Sequence, residues 1–362
     1  METAARILSL LRREPVVSGA ALAAALGVSR AAVWKHIEAL RADGYRIEAR
    51  RPRGYALTGS PDRLLPAEIT RHLTTARFGR HLESFETIDS TNIHATRLAR
   101  EGAPEGTLVL AERQTHGRGR LGRSWVSPAR VNLYASFVLR PRLSPVDAPQ
   151  LALAAAVAVV RALSPLAPGR VAIKWPNDCL LDGKKVAGIL TEMDAEVDRV
   201  RAAVPGIGVH LNAAARAFPA GLTATATSVL LAIGVNLNAP ARAFPTELRT
   251  TATSVLLATG TSVDRPQFTA RLCATLEAVY DRVVRDGFAV VASEWESYSC
   301  LTGRRVTIDC SGRRSAGTVR GIDPSGRLVL DGAAGEERIM AGDVSIVDGY
   351  QGLGTQARRS DA

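Results

Sequence analysis

The chain has 362 residues, of which 46% are hydrophobic and 22% charged, and its formal net charge is +11. That length is too great for one compact core and suggests two or three domains, with a composition ordinary for a soluble globular protein. Four cysteines without CxxC spacing and six histidines without an HxxxH pair exclude a disulfide framework and a zinc site.

The charge favours acidic partners such as nucleic acid, nucleotides or an acidic protein; a basic, solvated surface would have the same composition. The longest apolar stretch, Leu151–Val160, is interrupted by Arg161. It falls short of the ~20 residues that a membrane span needs. No secretory signal is visible at the N-terminus, so no membrane association and a cytoplasmic location are expected.

Residues 1–60 read as three helices and a hairpin. Ile7, Leu8, Leu10 and Leu11 mark the first helix, and Ala21, Leu22, Ala25 and Leu26 the second. After Gly27, Ser29 is a suitable N-cap for a third helix carrying Val33, Ile37 and Leu40. YRIEA, the basic turn RRPRG and YALTG then form a hairpin. Helix-turn-helix plus a basic hairpin is a winged helix. Residues 1–63 carry 11 Lys/Arg against 6 Asp/Glu, a net of +5. Ser29, Arg30, Ala31, Trp34 and Lys35 lie where such a helix meets base edges in the major groove. Arg50, Arg51 and Arg53 at the hairpin tip suit phosphate contacts. A helical protein-interaction domain is the alternative.

Ser60–Pro66 reads as a linker to a mixed α/β region, 67–298, with strands in Thr107–Ala111, Asn132–Leu139 and Val171–Lys174 and a helix over Pro149–Leu163. From 302 to 348 short β runs alternate with Gly turns, as in a small all-β barrel, and 349–362 reads as a disordered tail. The fold class is therefore α/β (α+β).

Three segments carry chemistry. GRGRLGRSW, 117–125, matches GxGxxG but leads into SWVSPARVNLYASFVL, which reads as strand, Pro break, strand. A dinucleotide turn must open a helix, so that interpretation fails. Arg118, Arg120 and Arg123 among the glycines instead make a clamp for a phosphate or carboxylate, or a solvated arginine loop. KWPNDCLLDGKKVAGIL, 174–190, reads as strand, Pro-Asn-Asp turn, strand, Asp-Gly hairpin, strand, with Lys174 and Lys185 at facing ends. A lysine beside the arginine loop would stabilise charge developing in acyl transfer. In ETIDSTN, 86–92, Ser90, Thr91 and Asn92 suit a polar, uncharged ring, a helix N-cap, or both.

An internal repeat spans 207–258. IGVHLNAAARAFPAGLTATATSVLLA is followed directly by IGVNLNAPARAFPTELRTTATSVLLA, identical at 20 of 26 positions. Two copies are too few for a stacked array, so a local duplication is expected, with either copy in the sheet and the other looped out.

DSTN, AERQTHGRGRLGRSW, KWPND, KKVAGIL and IGVNLN, in this order, resemble the biotin–protein ligase family. The added winged helix resembles its bifunctional members, which also repress biotin operons. The resemblance spans about residues 3–347. It implies a catalytic domain like that of class II aminoacyl-tRNA synthetases and an SH3-like barrel at 302–348. It implies that Ser90, Thr91, Asn92 and Gln114 contact biotin, and that Gly117, Arg118 and Arg120 form a loop that orders over the ligand. Lys185 would contact the biotin carboxylate and the adenylate phosphate, with Gly188 against the biotin pocket. Arg118, Arg120, Arg123, Lys174, Asn177 and Asp178 would line the nucleotide side. Asn236 rather than its counterpart His210 would lie near the adenine. Lys185 and Arg118 are the expected catalytic residues. The implied substrates are biotin and ATP with Mg2+, giving biotinyl-5′-AMP and then biotin on a lysine of a biotin carboxyl carrier protein domain. Operator DNA is the further partner, with a homodimer when biotinyl-AMP is bound. Two alternatives are a lipoate–protein ligase, a family similar in fold, and a ligand-sensing repressor whose ligase activity the duplication has impaired.

Overall fold

The computed structural model describes residues 2–141, 143, 147–194, 209–210, 228–310 and 312–347. The chain divides into two compact units, Met1–Arg63 and Leu64–Ala362.

In the first unit, helices α1 (Glu2–Arg13), α2 (Gly19–Leu26) and α3 (Arg30–Ala42) precede a hairpin of β1 (Arg46–Arg50) and β2 (Gly54–Gly59). Two serine caps set the helix starts: Ser18 Oγ accepts from Ala21 N at 3.0 Å and Ser29 Oγ from Ala32 N at 3.1 Å. Gly27, at φ 67°, ends α2 in a left-handed turn that costs glycine little. Val33, Ile37 and Leu40 turn one face of α3 into the core with Ile7, Leu8, Leu11 and Leu22.

The second unit is built on an eight-stranded mixed sheet. Its strands are β3 (Leu82–Phe85), β4 (Leu108–Ala111), β5 (Leu133–Leu139), β6 (Val171–Lys174), β7 (Asp178–Leu181), β8 (Lys184–Asp194), β9 (Val209–His210) and β10 (Ser228–Val235). Their order is β3-β4-β5-β10-β8-β7-β6, with β9 beside β8; only β3 and β4 run parallel. Helix α4 (Pro66–Thr70) leads into the sheet, and α5 (Thr91–Arg100) covers one face with Ala95 and Ala99 against Val109, Val138 and Leu230. The other face carries α6 (Pro149–Leu163), α7 (Val255–Thr259), α8 (Arg265–Asp286) and α9 (Ala289–Tyr298). All residues of α6 except Pro149, Ala152 and Arg161 are buried, so this helix is a core element rather than an amphipathic one.

The C-terminal strands β11 (Arg305–Cys310), β12 (Arg313–Ile322), β13 (Leu328–Gly332), β14 (Gly335–Ile339) and β15 (Asp343–Ile346) form an antiparallel sheet, order β14-β13-β12-β11-β15. Their apolar residues Val306, Ile308, Val319 and Leu330 join the same core cluster as α6 and α8. Residues 349–362, expected to be a disordered tail, lie outside the described residues.

Two expectations need correction. The strand expected between the arginine loop and the Pro128 break is reduced to one isolated bridge, Arg118 to Ser124, and regular pairing after the break begins at Leu133. Pro128 has no N–H for a ladder, and Arg130 turns the chain at φ 61°. The duplication, in turn, does not place a whole copy in the sheet. Strand β10 straddles the junction: Ser228–Ala232 end the first copy and Ile233–Val235 begin the second. Residues 211–227 lie outside the described residues, and 209–210 pair with β8 as β9.

Candidate active site

Strand β10 sets the floor of the site. Leu231, Ile233 and Val235 point into the main core, so Leu230, Ala232, Gly234 and Asn236 belong to the opposite face. Ala232 and Gly234 leave room there. Gly234 pairs in register with Gly188 of β8. The Trp125 ring lies over this two-glycine floor: a methyl group built on Gly234 would stand 2.6 Å from Trp125 Cε2, and one on Gly188 2.8 Å from Trp125 Cζ3. The result is a cavity of about 810 Å³.

One end of the cavity is polar and uncharged. Ser90, Thr91 and Asn92 are buried at the start of α5. Ser90 is the N-cap residue by backbone conformation, but its side chain makes no capping bond. The N-cap interpretation therefore accounts for the position of Ser90 and leaves its hydroxyl for the cavity. Gln114 Oε1 accepts from Thr91 N at 2.9 Å and from Thr91 Oγ1 at 3.0 Å, while its Nε2 donates to Ser127 Oγ at 3.2 Å. Asn92 Nδ2 donates to Glu192, and Asn92 Oδ1 is buried without a hydrogen-bond partner among the described residues. The same is true of Trp125 Nε1. An orphaned buried acceptor and donor fit a ligand that carries both kinds of group.

The other end is cationic, and its cations are matched by acids. Arg118 Nη1 lies 3.3 Å from Glu192 Oε1, Lys185 Nζ lies 2.7 Å from Asp178 Oδ1, and Arg123 pairs with Asp343 at the start of β15. Arg120 Nη1 donates to Asn177 Oδ1 at 2.9 Å and Nη2 to Gly342 O at 3.4 Å. Burial pushes the Arg120 guanidinium below its usual pKa, against the pull of Asp343 and Asp178. Lys185 Nζ also stands 5.4 Å from the centre of the Trp125 ring. The Arg123–Asp343 pair is the exposed one and contributes ~0–1 kcal/mol, whereas Glu192 and Asp178 are largely buried and hold Arg118 and Lys185 more firmly.

Ser90, Thr91, Asn92, Gln114, Arg118, Arg120, Arg123, Lys174, Asn177, Asp178, Lys185, Gly188 and Asn236 all line this one cavity. Gly117 does not; its Cα packs where a methyl group would stand 2.5 Å from Trp125 O, so it shapes the loop instead. Phe244, Leu248 and Thr250–Ala252 of the second copy close the adjacent wall. They are strapped to β8 by Lys185 N donating to Thr251 O and Thr253 N donating to Lys185 O. Sequence reasoning missed Glu192, one of two acids at the end of β8, and Asp343, more than 200 residues beyond the loop that it holds. Spacing carries no signal for either.

The DNA-binding candidates all lie in the first unit. Ser29, Arg30, Ala31, Trp34 and Lys35 are exposed on α3, Trp34 at 54%, while Arg50, Arg51 and Arg53 are exposed around the hairpin turn.

Family models match three stretches: an HTH domain at residues 3–56, the Biotin/lipoate A/B protein ligase family at 84–212, and the Biotin protein ligase C terminal domain at 302–347. The chain is 39% identical to the bifunctional ligase/repressor BirA of Bacillus subtilis, over 91% of this chain and 94% of that one. It is 30% identical to BirA of Escherichia coli K12, over 94% and 96%. Among solved structures, the biotin protein ligase of Aquifex aeolicus in complex with biotin and ATP matches at TM-score 0.58 and 26% identity, covering 74% of this chain and 98% of that one. An HTH unit at the front, a ligase core around one polar-to-cationic cavity, and near full-length identity to BirA place the chain in the biotin protein ligase family, among its bifunctional ligase/repressors.

Proposed function

We propose that this chain joins biotin to ATP and then to protein, and represses transcription through its N-terminal unit. The observation that carries the ligase proposal is the polarity of the cavity, uncharged around Ser90, Thr91 and Gln114 and cationic around Arg118, Arg120 and Lys185. Biotin has the same two ends. Its ureido group, which both donates and accepts, meets the first, with Asn92 beside it; its carboxylate meets the second. Gly188 lets the Trp125 ring lie close to the sheet as a wall of the biotin pocket.

A carboxylate oxygen of biotin attacks the α-phosphorus of ATP, the P–O bond to pyrophosphate breaks, and biotinyl-5′-AMP forms. Lys185 and Arg118 stabilise the charge on the transferring group, with Arg120 and Arg123 behind them. Lys174, Asn177 and Asp178 border the nucleotide, and Asn236 contacts the adenine. An acceptor lysine of a biotin carboxyl carrier protein domain then attacks the acyl carbon and AMP leaves. Most of the rate enhancement comes from positioning and fixed charge. Magnesium would be carried by the phosphates of ATP and would neutralise their charge, with Asp178 and Asp343 of the cavity lining as carboxylates that could hold it; among the described residues no group of three acids, histidines or cysteines forms a cage for it.

Operator DNA is read by the exposed face of α3, with the hairpin arginines on phosphate, and a homodimer forms when biotinyl-AMP is bound, matching paired half-sites. The reactions belong in the cytoplasm, and among the described residues no helix is long and apolar enough to cross a membrane. A repressor that binds ligand without transferring it is the second reading, favoured by the junction-built strand β10.

The experiment is ATP-dependent transfer of biotin to a purified carrier domain, with lipoate in a parallel arm. Biotin transfer is expected; ligand-dependent DNA binding without transfer would establish the sensor, and transfer of lipoate alone would overturn the choice of acid. Arg118→Gly is expected to release the adenylate and label lysines non-selectively, and unchanged adenylate retention would remove Arg118 from the clamp.

A further inference from the structure

Behind Asn236 lies a buried polar chain that the reaction does not use directly. Leu64, the first residue of the second unit, donates its N–H to Glu112 Oε1 at 2.8 Å. Glu112 Oε2 accepts from Arg265 Nη1 at 2.7 Å, and the same nitrogen donates to Asn132 O at 3.2 Å. Asn132 Nδ2 donates to Asn236 Oδ1 at 3.0 Å, and Asn132 Oδ1 accepts from Leu237 N at 3.0 Å. Arg265 and Asn132 are fully buried, and Glu112 and Asn236 nearly so. Of these side chains only Asn236 lines the cavity.

The chain has a direction, and backbone chemistry sets it. Leu237 N–H can only donate, so Asn132 must turn its oxygen to Leu237 and its nitrogen to Asn236. Tyr134 agrees. Burial pushes its hydroxyl pKa up, so it stays protonated; it donates to Pro128 O at 2.9 Å and can only accept from Asn132. Asn236 must therefore turn its oxygen back to Asn132, which leaves its amide nitrogen for the cavity.

We infer that Asn132 is a positioning residue that makes Asn236 a hydrogen-bond donor toward the nucleotide, and so selects a base presenting an acceptor ring nitrogen. The Arg265–Glu112 pair anchors Asn132 through its carbonyl. This inference rests on the proposed contact of Asn236 with adenine.

The test compares two substitutions whose order is set differently by a structural and an orienting role. Asn132→Asp keeps an acceptor for Leu237 N–H but presents a second acceptor to Asn236. The Asn236 amide then flips and turns its oxygen to the cavity. Asn132→Ala loses both bonds but leaves Asn236 free to orient. A structural role makes the ATP KM follow the melting temperature of the two variants, the less stable one binding ATP more weakly. The orienting role raises KM in Asn132→Asp, with its carboxyl ionised, ~10-fold or more over that of Asn132→Ala, whichever melts higher, when both are assayed well below their melting temperatures. Biotin affinity without nucleotide stays at the wild-type value in both.

Should Asn132→Asp fail to fold, Asn236→Asp presents an acceptor whatever Asn132 does and is expected to show the same loss. An ATP KM in Asn132→Asp equal to or below that of Asn132→Ala overturns the inference, as does a wild-type KM in Asn236→Asp. With 1-deaza-, 3-deaza- and 7-deaza-ATP, one analogue is expected to bind the wild type ~10-fold more weakly and Asn236→Ala no more weakly than ATP does; no discrimination among the three overturns it. If Asn236→Ala leaves the ATP KM unchanged, the adenine contact itself falls; if it raises KM while the Asp and Ala order is structural, only the role of Asn132 falls.

Discussion

The pentapeptide Ser-Val-Leu-Leu-Ala occurs twice in this chain and takes two structures. At 228–232 it is the first part of β10, between β5 and β8. At 254–258 it is an N-cap followed by helix α7. Leu231 is 0% exposed in the first, and its counterpart Leu257 is 45% exposed in the second. Local propensity cannot distinguish identical residues, so the neighbours do. The first copy runs on into Ile233, Gly234 and Val235, which continue a strand with a partner on each side. The second runs on into Thr259 and Gly260, and Gly260 at φ 74° closes the helix. Ser254 Oγ accepts from Leu257 N at 3.1 Å and opens it. Packing against two strands outweighs the weak helical preference of a short segment.

The widest separation is expected between the two leucines. Leu231→Asp buries an unpaired carboxylate in the central sheet and costs ~4 kcal/mol or more, whereas Leu257→Asp stays within ~0.5 kcal/mol. Urea unfolding of both variants measures this, and equal losses would mean that the two segments share one environment.

The paired glycines come next, because Gly234 and Gly260 occupy equivalent places after the two pentapeptides. Gly234→Ala drives a methyl group into the Trp125 ring and is expected to lower ATP-dependent biotin turnover ~10-fold or more, by overpacking the cavity floor. Gly260→Ala meets no atom but strains a left-handed turn, costing ~1 kcal/mol with turnover unchanged. Turnover and melting temperature, measured on both, separate the two costs; a stability loss confined to Gly234→Ala would reverse the assignment.

The smallest effect lies in the serine that opens the helical copy. Ser254→Ala removes the N-cap together with the buried bond from Ser254 Oγ to Ala239 O and costs ~1–2 kcal/mol. Thermal melts measure the loss, and an unchanged melting temperature would contradict the cap.

Much of the fold was legible because its signals are local. The serine cap at 29, the 3.6-residue apolar spacing of α1–α3 and the Asp182–Gly183 hairpin turn depend only on neighbours in sequence. The arginine loop could be separated from a dinucleotide site for the same reason, since no helix follows it. The strand expected before the Pro128 break failed because Trp125 is drawn onto the glycine floor formed by Gly188 and Gly234, far along the chain. Glu192 and Asp343 were illegible because a counter-ion needs no fixed spacing from the charge that it neutralises.

By itself, then, the sequence determined the winged helix, the ligase motifs and the position of the cations, all written in short windows of side-chain chemistry. Tertiary structure alone decided what the duplicated segment becomes. The slot between β5 and β8 accepts a strand of eight residues, and the chain fills it across a repeat boundary, because burying Leu230, Leu231, Ile233 and Val235 together stabilises the sheet whichever copy they come from.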